Sequence, residues 1–317
     1  MTDPTASVST SPTVPSFDGI LFFPVTPFTP RDDVDLDLLH QHVATGLEEG
    51  AGGIFPACGT GELHALSTGE AAAVVRETVA VVNGAVPVIA GTGGSLATAR
   101  SQARAAEEAG ADGLLVLPPY LVGAPVAGLV AYVEQVAAAS ALPVIVYHRG
   151  NAQFTPAAMR RLAQNPKVIG FKDGTGDVGL AQEIVLAVTA ERDDFLFFNG
   201  LLTAELSQGA YRGIGIPLYS SAAFAMAPAV ARGYYNAYIA GDEALRVRYL
   251  QDFFQPLVRL RDETPGFGVS LIKAGLRLSG VPVGPVRAPL LDPTPEQTDR
   301  LATILEAGHR LAAELAR

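Results

Sequence analysis

Tryptophan is absent from the 317-residue chain, methionine occurs three times, and cysteine occurs once, as Cys58. A single cysteine rules out an intrachain disulfide framework and a thiolate metal cluster. The five histidines, at 40, 42, 64, 148 and 309, form no metal-ligand spacing such as H-E-x-x-H. His40 and His42 stand two apart on an expected helix and so point in different directions. No apolar run approaches the 18 residues that a membrane helix needs. Basic residues are outnumbered, 22 Lys and Arg against 32 Asp and Glu, and the net charge of −10 with pI near 5.0 argues against nucleic acid or an anionic membrane as the partner. An anionic small molecule stays open, because a local pocket of backbone donors works on an acidic protein. The first 16 residues, MTDPTASVSTSPTVPS, carry neither the basic stretch nor the apolar core of a secretion signal. They read as a disordered tail, and the chain as a soluble cytoplasmic protein.

What is present is apolar material, 49% of residues against 17% charged, in a regular alternation. Short runs rich in Val, Ile, Leu and Phe occupy 20–25, 53–56, 86–90, 113–117, 143–147, 168–172, 195–199 and 215–218. None alternates strictly with polar residues, as expected of parallel strands covered on both faces. Amphipathic stretches such as 36–49, 68–82, 96–109, 126–140 and 156–164 separate them. Glu49-Gly50-Ala51-Gly52-Gly53 and Glu108-Ala109-Gly110-Ala111-Asp112-Gly113 each end a helix on glycine and open a strand. Eight such units, evenly spaced and without a long insertion, predict a (β/α)8 TIM barrel over 17–240; a doubly wound open sheet is the alternative. Further helices are expected at about 244–261, 269–279 and 295–316, a C-terminal extension over 241–317 that packs outside the barrel or between subunits.

Active sites of such barrels form at the carboxyl ends of the strands. Lys172 ends the sixth run, directly before Asp173-Gly174-Thr175-Gly176-Asp177. An amine taken out of water there loses its preference for the charged form and becomes a nucleophile able to form an imine. The alternative is a strand-capping lysine paired with Asp173 or Asp177. Tyr147 ends the fifth run, one strand over, where its hydroxyl could relay protons; packing at the barrel mouth is the bland alternative. Cys58-Gly59-Thr60-Gly61-Glu62 follows the second run as a nest of backbone N–H groups suited to a carboxylate. Glu62 is expected to turn away and hydrogen-bond its own loop, and Cys58 to be a small buried residue. Gly91-Thr92-Gly93-Gly94 reads as a tight turn, because the phosphate-loop pattern is missing. Gly174-Thr175-Gly176-Asp177-Val178-Gly179 matches G-x-G-x-x-G, but the following run lacks the acidic residue of a ribose site. Arg149 and Arg287 are candidate carboxylate ligands, Arg287 equally a structural residue.

Taken in order, Gly59-Thr60-Gly61-Glu62, Tyr147 and Gly170-Phe171-Lys172-Asp173 resemble the dihydrodipicolinate synthase and N-acetylneuraminate lyase superfamily of class I Schiff-base lyases over about residues 18–310. The segments Tyr219-Ser220-Ser221-Ala222, Val269-Ser270-Leu271-Ile272-Lys273-Ala274-Gly275 and Gly284-Pro285-Val286-Arg287-Ala288-Pro289-Leu290 are most similar to its sugar-diacid dehydratase branch. The synthase branch normally has a second threonine where Gly59 stands and a proline after the tyrosine, and this chain has neither. It also departs from the dehydratase pattern at Cys58, at His148 and in the acidic Arg261-Asp262-Glu263. The resemblance implies conversion of 5-dehydro-4-deoxy-D-glucarate to 2,5-dioxopentanoate, CO2 and water through a Lys172 imine, with no separate cofactor and no metal. Tyr147 would relay protons and Gly59 and Thr60 hold the carboxylate beside the ketone. Arg149, Thr203, Ser220 and Ser221 would bind the rest of the diacid. Tyr120 matches the position that reaches across a dimer interface, and a homodimer or homotetramer is implied by analogy. The rivals are a 2-keto-3-deoxy sugar-acid aldolase or synthase-like enzyme on the same scaffold, and a non-catalytic keto-acid-binding barrel.

Overall fold

Apolar strands with two hydrophobic faces must be covered on both sides, and the chain achieves this by closing them into a barrel wrapped in helices. The computed structural model describes residues 14–120 and 122–315. Strands and helices alternate as β1 (Ile20–Phe22), α1 (Leu36–Glu48), β2 (Ala51–Ile54), α2 (Thr68–Val82), β3 (Ile89–Thr92), α3 (Leu96–Ala109), β4 (Gly113–Val116) and α4 (Val126–Ala137). The series continues with β5 (Val144–His148), α5 (Pro156–Ala163), β6 (Val168–Asp173), α6 (Val178–Thr189), β7 (Leu196–Asn199), α7 (Gln208–Gly213), β8 (Leu218–Ser221) and α8 (Pro228–Ala240). The parallel strands run in the order β2-β1-β8-β7-β6-β5-β4-β3, and a parallel bridge from Ile54 to Val88 joins the two ends.

The (β/α)8 barrel is therefore as expected, and the strand limits shift. The eighth run, expected at 215–218, is displaced to Leu218–Ser221. Gly215 takes φ +87° in the turn that leaves α7, and Pro217 has no N–H for the ladder. Gly91 and Thr92 lie inside β3 rather than in a tight turn; a Cβ on Gly91 would lie 2.0 Å from the Ala57 carbonyl oxygen. Between β5 and β6 the register advances by one residue, Val144 facing Val168 but Ile145 facing Gly170, which brings Tyr147 opposite Lys172.

Five of the barrel helices begin on a side-chain cap. Ser67 and Glu70 form a reciprocal capping box on α2, and Asp35, Ser95, Thr155 and Asp177 accept from the first turns of α1, α3, α5 and α6. Beyond the barrel come α9 (Glu243–Tyr249), a π-turn over Leu250–Phe254, α10 (Gln255–Arg261), α11 (Phe267–Leu278) and α12 (Pro295–Leu315). The single helix expected over 244–261 is thus interrupted by the π-turn. The terminal helix α12 packs on α8, α10 and α11, outside the barrel. Of the expected tail, residues 1–13 lie outside the described residues, while Val14 packs against the core.

Candidate active site

The carboxyl ends of the strands open into a cavity of about 280 Å³, at the small end of the range for ligand pockets. Lys172 lies in its wall, only 4% exposed. Its neighbours in sequence do not neutralise it. Asp173 turns to its own loop, accepting from Thr175 N at 3.1 Å, Thr175 Oγ1 at 2.8 Å and Gly176 N at 3.2 Å, and from the Tyr211 hydroxyl. Asp177 caps α6 through Leu180 N at 3.0 Å. The glycine-rich stretch is accordingly a loop organised by one carboxylate. The strand-capping ion pair for Lys172 is not formed. Instead the Nζ stands 3.9 Å from the centre of the Tyr147 ring and 5.1 Å from that of Phe23. Burial holds the amine below its ordinary range; Tyr147 opposes that shift, and Arg149 adds to it.

Tyr147 donates from its hydroxyl to the Gly200 carbonyl at 2.7 Å and accepts from Arg149 Nη1 at 2.8 Å. Burial alone would raise the phenol, but Lys172 and Arg149 outweigh it and bring its pKa below the ordinary value. The position of Gly200 is set by this arrangement, since a Cβ there would lie 2.6 Å from the Lys172 Nζ. His148, one residue on, faces away from the cavity: its Nδ1 accepts from Phe154 N at 2.9 Å. Burial lowers its pKa against the pull of Asp173 and Asp177.

Gly59 and Thr60 line the cavity, with Cys58 beneath them. Cys58 is fully buried and its thiol is pushed up to about 12 by burial, against the pull of Lys172, so it stays a protonated packing residue. Arg149, Ser220 and Tyr120 also line the cavity, and Ser220 Oγ is 3.3 Å from the Asn199 carbonyl. Ser221 and Thr203 do not line it. Ser221 Oγ is buried against Glu205 and accepts from Phe224 N. Thr203 Oγ1 accepts from Arg261 Nη1 at 3.0 Å in a neighbouring depression. Both hydroxyls are engaged in holding loops. Arg287 is likewise structural, bound to Asp32, Glu70 and the Ala65 carbonyl and stacked 4.1 Å over Phe28. Glu62 turns away from the cavity as expected, but its partner is Lys273 on α11 rather than its own loop.

Gly266, Gly268, Val269 and Leu290, from the segments around α11, also line the cavity; Val269 and Leu290 fall in segments that carry the resemblance, but no site role was expected of the four. His64 was also missed; it is exposed at the cavity wall, two residues beyond Glu62, and its nearness to the nest was the available signal. Among the described residues no group of three His, Cys, Asp or Glu could hold a metal ion, and no helix is long and apolar enough to cross a membrane.

A parallel barrel with a buried, carboxylate-free lysine facing a tyrosine at its carboxyl rim defines a lyase of the lysine-imine class. The chain belongs to the dihydrodipicolinate synthetase family, whose model matches residues 16–308. It is 51% identical over 304 residues to the probable 5-dehydro-4-deoxyglucarate dehydratase 1 of Streptomyces coelicolor, covering 95% of this chain and 96% of that one. It is 40% identical over 289 residues to the probable 5-dehydro-4-deoxyglucarate dehydratase of Paracidovorax citrulli, covering 91% and 94%. Among solved structures, dihydrodipicolinate synthase from Oceanobacillus iheyensis superposes with a TM-score of 0.85 at 25% identity over 93% of this chain and 97% of that one.

Proposed function

We propose that this chain is a decarboxylating dehydratase that converts 5-dehydro-4-deoxy-D-glucarate to 2,5-dioxopentanoate, CO2 and water. The observation that carries the reading is the Lys172 amine, buried without a carboxylate partner 3.9 Å from the Tyr147 ring at the wall of a small cavity. The neutral amine adds to the C5 ketone, and loss of water from the carbinolamine gives the protonated imine. Its electron demand acidifies C4–H, and the C3 hydroxyl leaves as water. The resulting conjugated iminium takes up the electron pair released when the carboxylate on C2 departs as CO2. The dienamine so formed is reprotonated at carbon, its C2 enol becomes the aldehyde, and hydrolysis then returns the amine. One lysine thus serves both bond cleavages, and the sequence of steps calls on no separate cofactor.

Tyr147, held between Gly200 and Arg149, moves protons at the carbinolamine and at the departing hydroxyl. Gly59 and Thr60 hold the carboxylate adjoining the ketone, fixing C5 beside the amine. Ser220 and Arg149 bind the hydroxyl-bearing end. Since Thr203 and Ser221 spend their hydroxyls on Arg261 and Glu205, they shape the wall from behind. The barrel over 17–240 and the extension over 241–317 work as one catalytic unit, because Gly266, Gly268 and Val269 complete the cavity. A cytoplasmic homo-oligomer is the working form, with Tyr120, 48% exposed beside exposed Val122, at the subunit contact. The deciding experiment is incubation with 5-dehydro-4-deoxyglucarate and joint detection of CO2 and 2,5-dioxopentanoate. A six-carbon product would refute decarboxylating dehydration and favour a simple dehydratase, and two three-carbon fragments would favour an aldolase on the same lysine.

A further inference from the structure

A second buried lysine lies away from the reacting amine. Lys273, on α11, is fully buried, and its Nζ is 2.6 Å from Oε1 of Glu62, itself fully buried. The ammonium also donates to the Pro285 carbonyl at 3.0 Å and stands 3.9 Å over the Phe28 ring. The other Glu62 oxygen accepts from Arg287 N at 2.9 Å. Neither residue lines the cavity.

Stability alone does not call for such a pair, since well-packed apolar side chains of similar volume commonly serve as well. Its effect here is geometric. The turn that carries Gly59 and Thr60 is bracketed by two left-handed non-glycine residues, Ala57 at φ +49° and Glu62 at φ +57°. It is closed by Glu62 N to the Gly59 carbonyl at 3.2 Å and Leu63 N to the Cys58 carbonyl at 3.1 Å. Thr26 Oγ1 pins the Gly61 carbonyl at 2.7 Å. A left-handed backbone fixes the direction in which the Glu62 side chain leaves the turn. Anchoring that carboxylate therefore anchors the turn, and with it the aim of the N–H groups at Gly59 and Thr60.

We propose that the Glu62–Lys273 ion pair is the positioning device of the carboxylate nest, setting selectivity for a carboxylate next to the reacting carbonyl without touching substrate. The inference rests on the imine reading above. It gives a role to the lysine within Val269-Ser270-Leu271-Ile272-Lys273-Ala274-Gly275, and it ties the extension to the barrel at the point where orientation matters.

The test compares borohydride trapping by pyruvate with trapping by pyruvamide, which keeps the ketone and replaces the carboxylate with a neutral amide. Wild type should be modified on the Lys172 peptide and prefer pyruvate. In Glu62→Gln and Lys273→Met the pyruvate-to-pyruvamide ratio of trapping rates should fall about tenfold, the scale of one or two misaimed hydrogen bonds. The pyruvamide rate itself should change little. The double variant Glu62→Leu/Lys273→Met leaves no orphan charge, keeps the fold accessible, and should show the same loss of selectivity. A ratio that stays at the wild-type value in the double variant, or two rates that fall in parallel, would overturn the positioning role and leave the imine intact. Wild type that cannot be trapped, or that is trapped on Lys273, would overturn both readings.

Discussion

Lys172 and Tyr147 are paired neighbours across β5 and β6, and the lysine Nζ rests 3.9 Å above the tyrosine ring. The face of an aromatic ring attracts a cation, whereas burial repels one. Burial prevails, so the amine titrates below its ordinary value. The acid limb of kcat/KM should then lie below pH 10.5, marking the amine that must be neutral to attack.

Lys172→Met should reduce turnover by about 10⁴-fold or more, and it should also stabilise the protein. The sign follows from proton linkage. Between the lowered folded pKa and the ordinary unfolded one, the unfolded chain binds the extra proton, so stability of the wild type rises with pH through that window. The thermal advantage of Lys172→Met over wild type should therefore be largest near neutrality and shrink toward pH 10.5. Melting curves across that range check it; an advantage independent of pH would mean the amine is not held neutral.

Tyr147→Phe removes the relay and leaves the Gly200 carbonyl without its donor. A loss of about 10²- to 10⁴-fold in kcat is expected, the usual reach of a positioned proton donor. Lys172 should still be trapped by borohydride, though more slowly. Full activity in this variant would place proton transfer elsewhere.

Arg149 acts on Tyr147 through a 2.8 Å hydrogen bond and its charge. Replacing it with glutamine takes away a cation that favours the phenolate, so the tyrosine pKa should rise. The basic limb of the kcat/KM profile should move to higher pH, and KM for the diacid should increase more than the pyruvate concentration that gives half-maximal borohydride trapping. An unmoved basic limb would separate Arg149 from the relay.

Behind the cavity, Glu205 is fully buried against Ser221, with its Oε2 unpartnered among the described residues. Burial pushes its carboxyl up to about 7 from 4.5. A raised folded pKa stabilises the protein below the unfolded value and loses that contribution as pH climbs through about 7. Wild type should lose up to roughly 3 kcal/mol between pH 5 and 8 from this group, while Glu205→Gln flattens the slope. Ser221→Ala should cost about 1–3 kcal/mol of stability with KM unchanged; a large rise in KM would return Ser221 to the substrate.

The alternation of apolar runs made the barrel legible, and the barrel made the place of Lys172, Tyr147, Gly59, Thr60 and Ser220 at the cavity legible, because each ends a strand or follows one. Thr203 and Ser221 follow the same logic and miss the cavity. A hydroxyl at a strand end has the same local sequence whether it faces the mouth or the packing behind it. The Glu62–Lys273 pair and the contribution of Gly266, Gly268 and Val269 were illegible for another reason: they depend on where α11 docks, which no local periodicity encodes. Gly200 shows the same limit at short range, since its need for glycine comes from the lysine on the next strand.

The one-residue advance between β5 and β6 works as a phase offset. Counted straight on from the Val144–Val168 pair, Tyr147 would meet Phe171; the extra residue makes it meet Lys172 instead. The contact between Tyr147 and Lys172 therefore hangs on an interval as well as on two side chains. A designer who regularised the sheet of this barrel by removing that offset could keep every residue of the site and still pull the relay away from the amine.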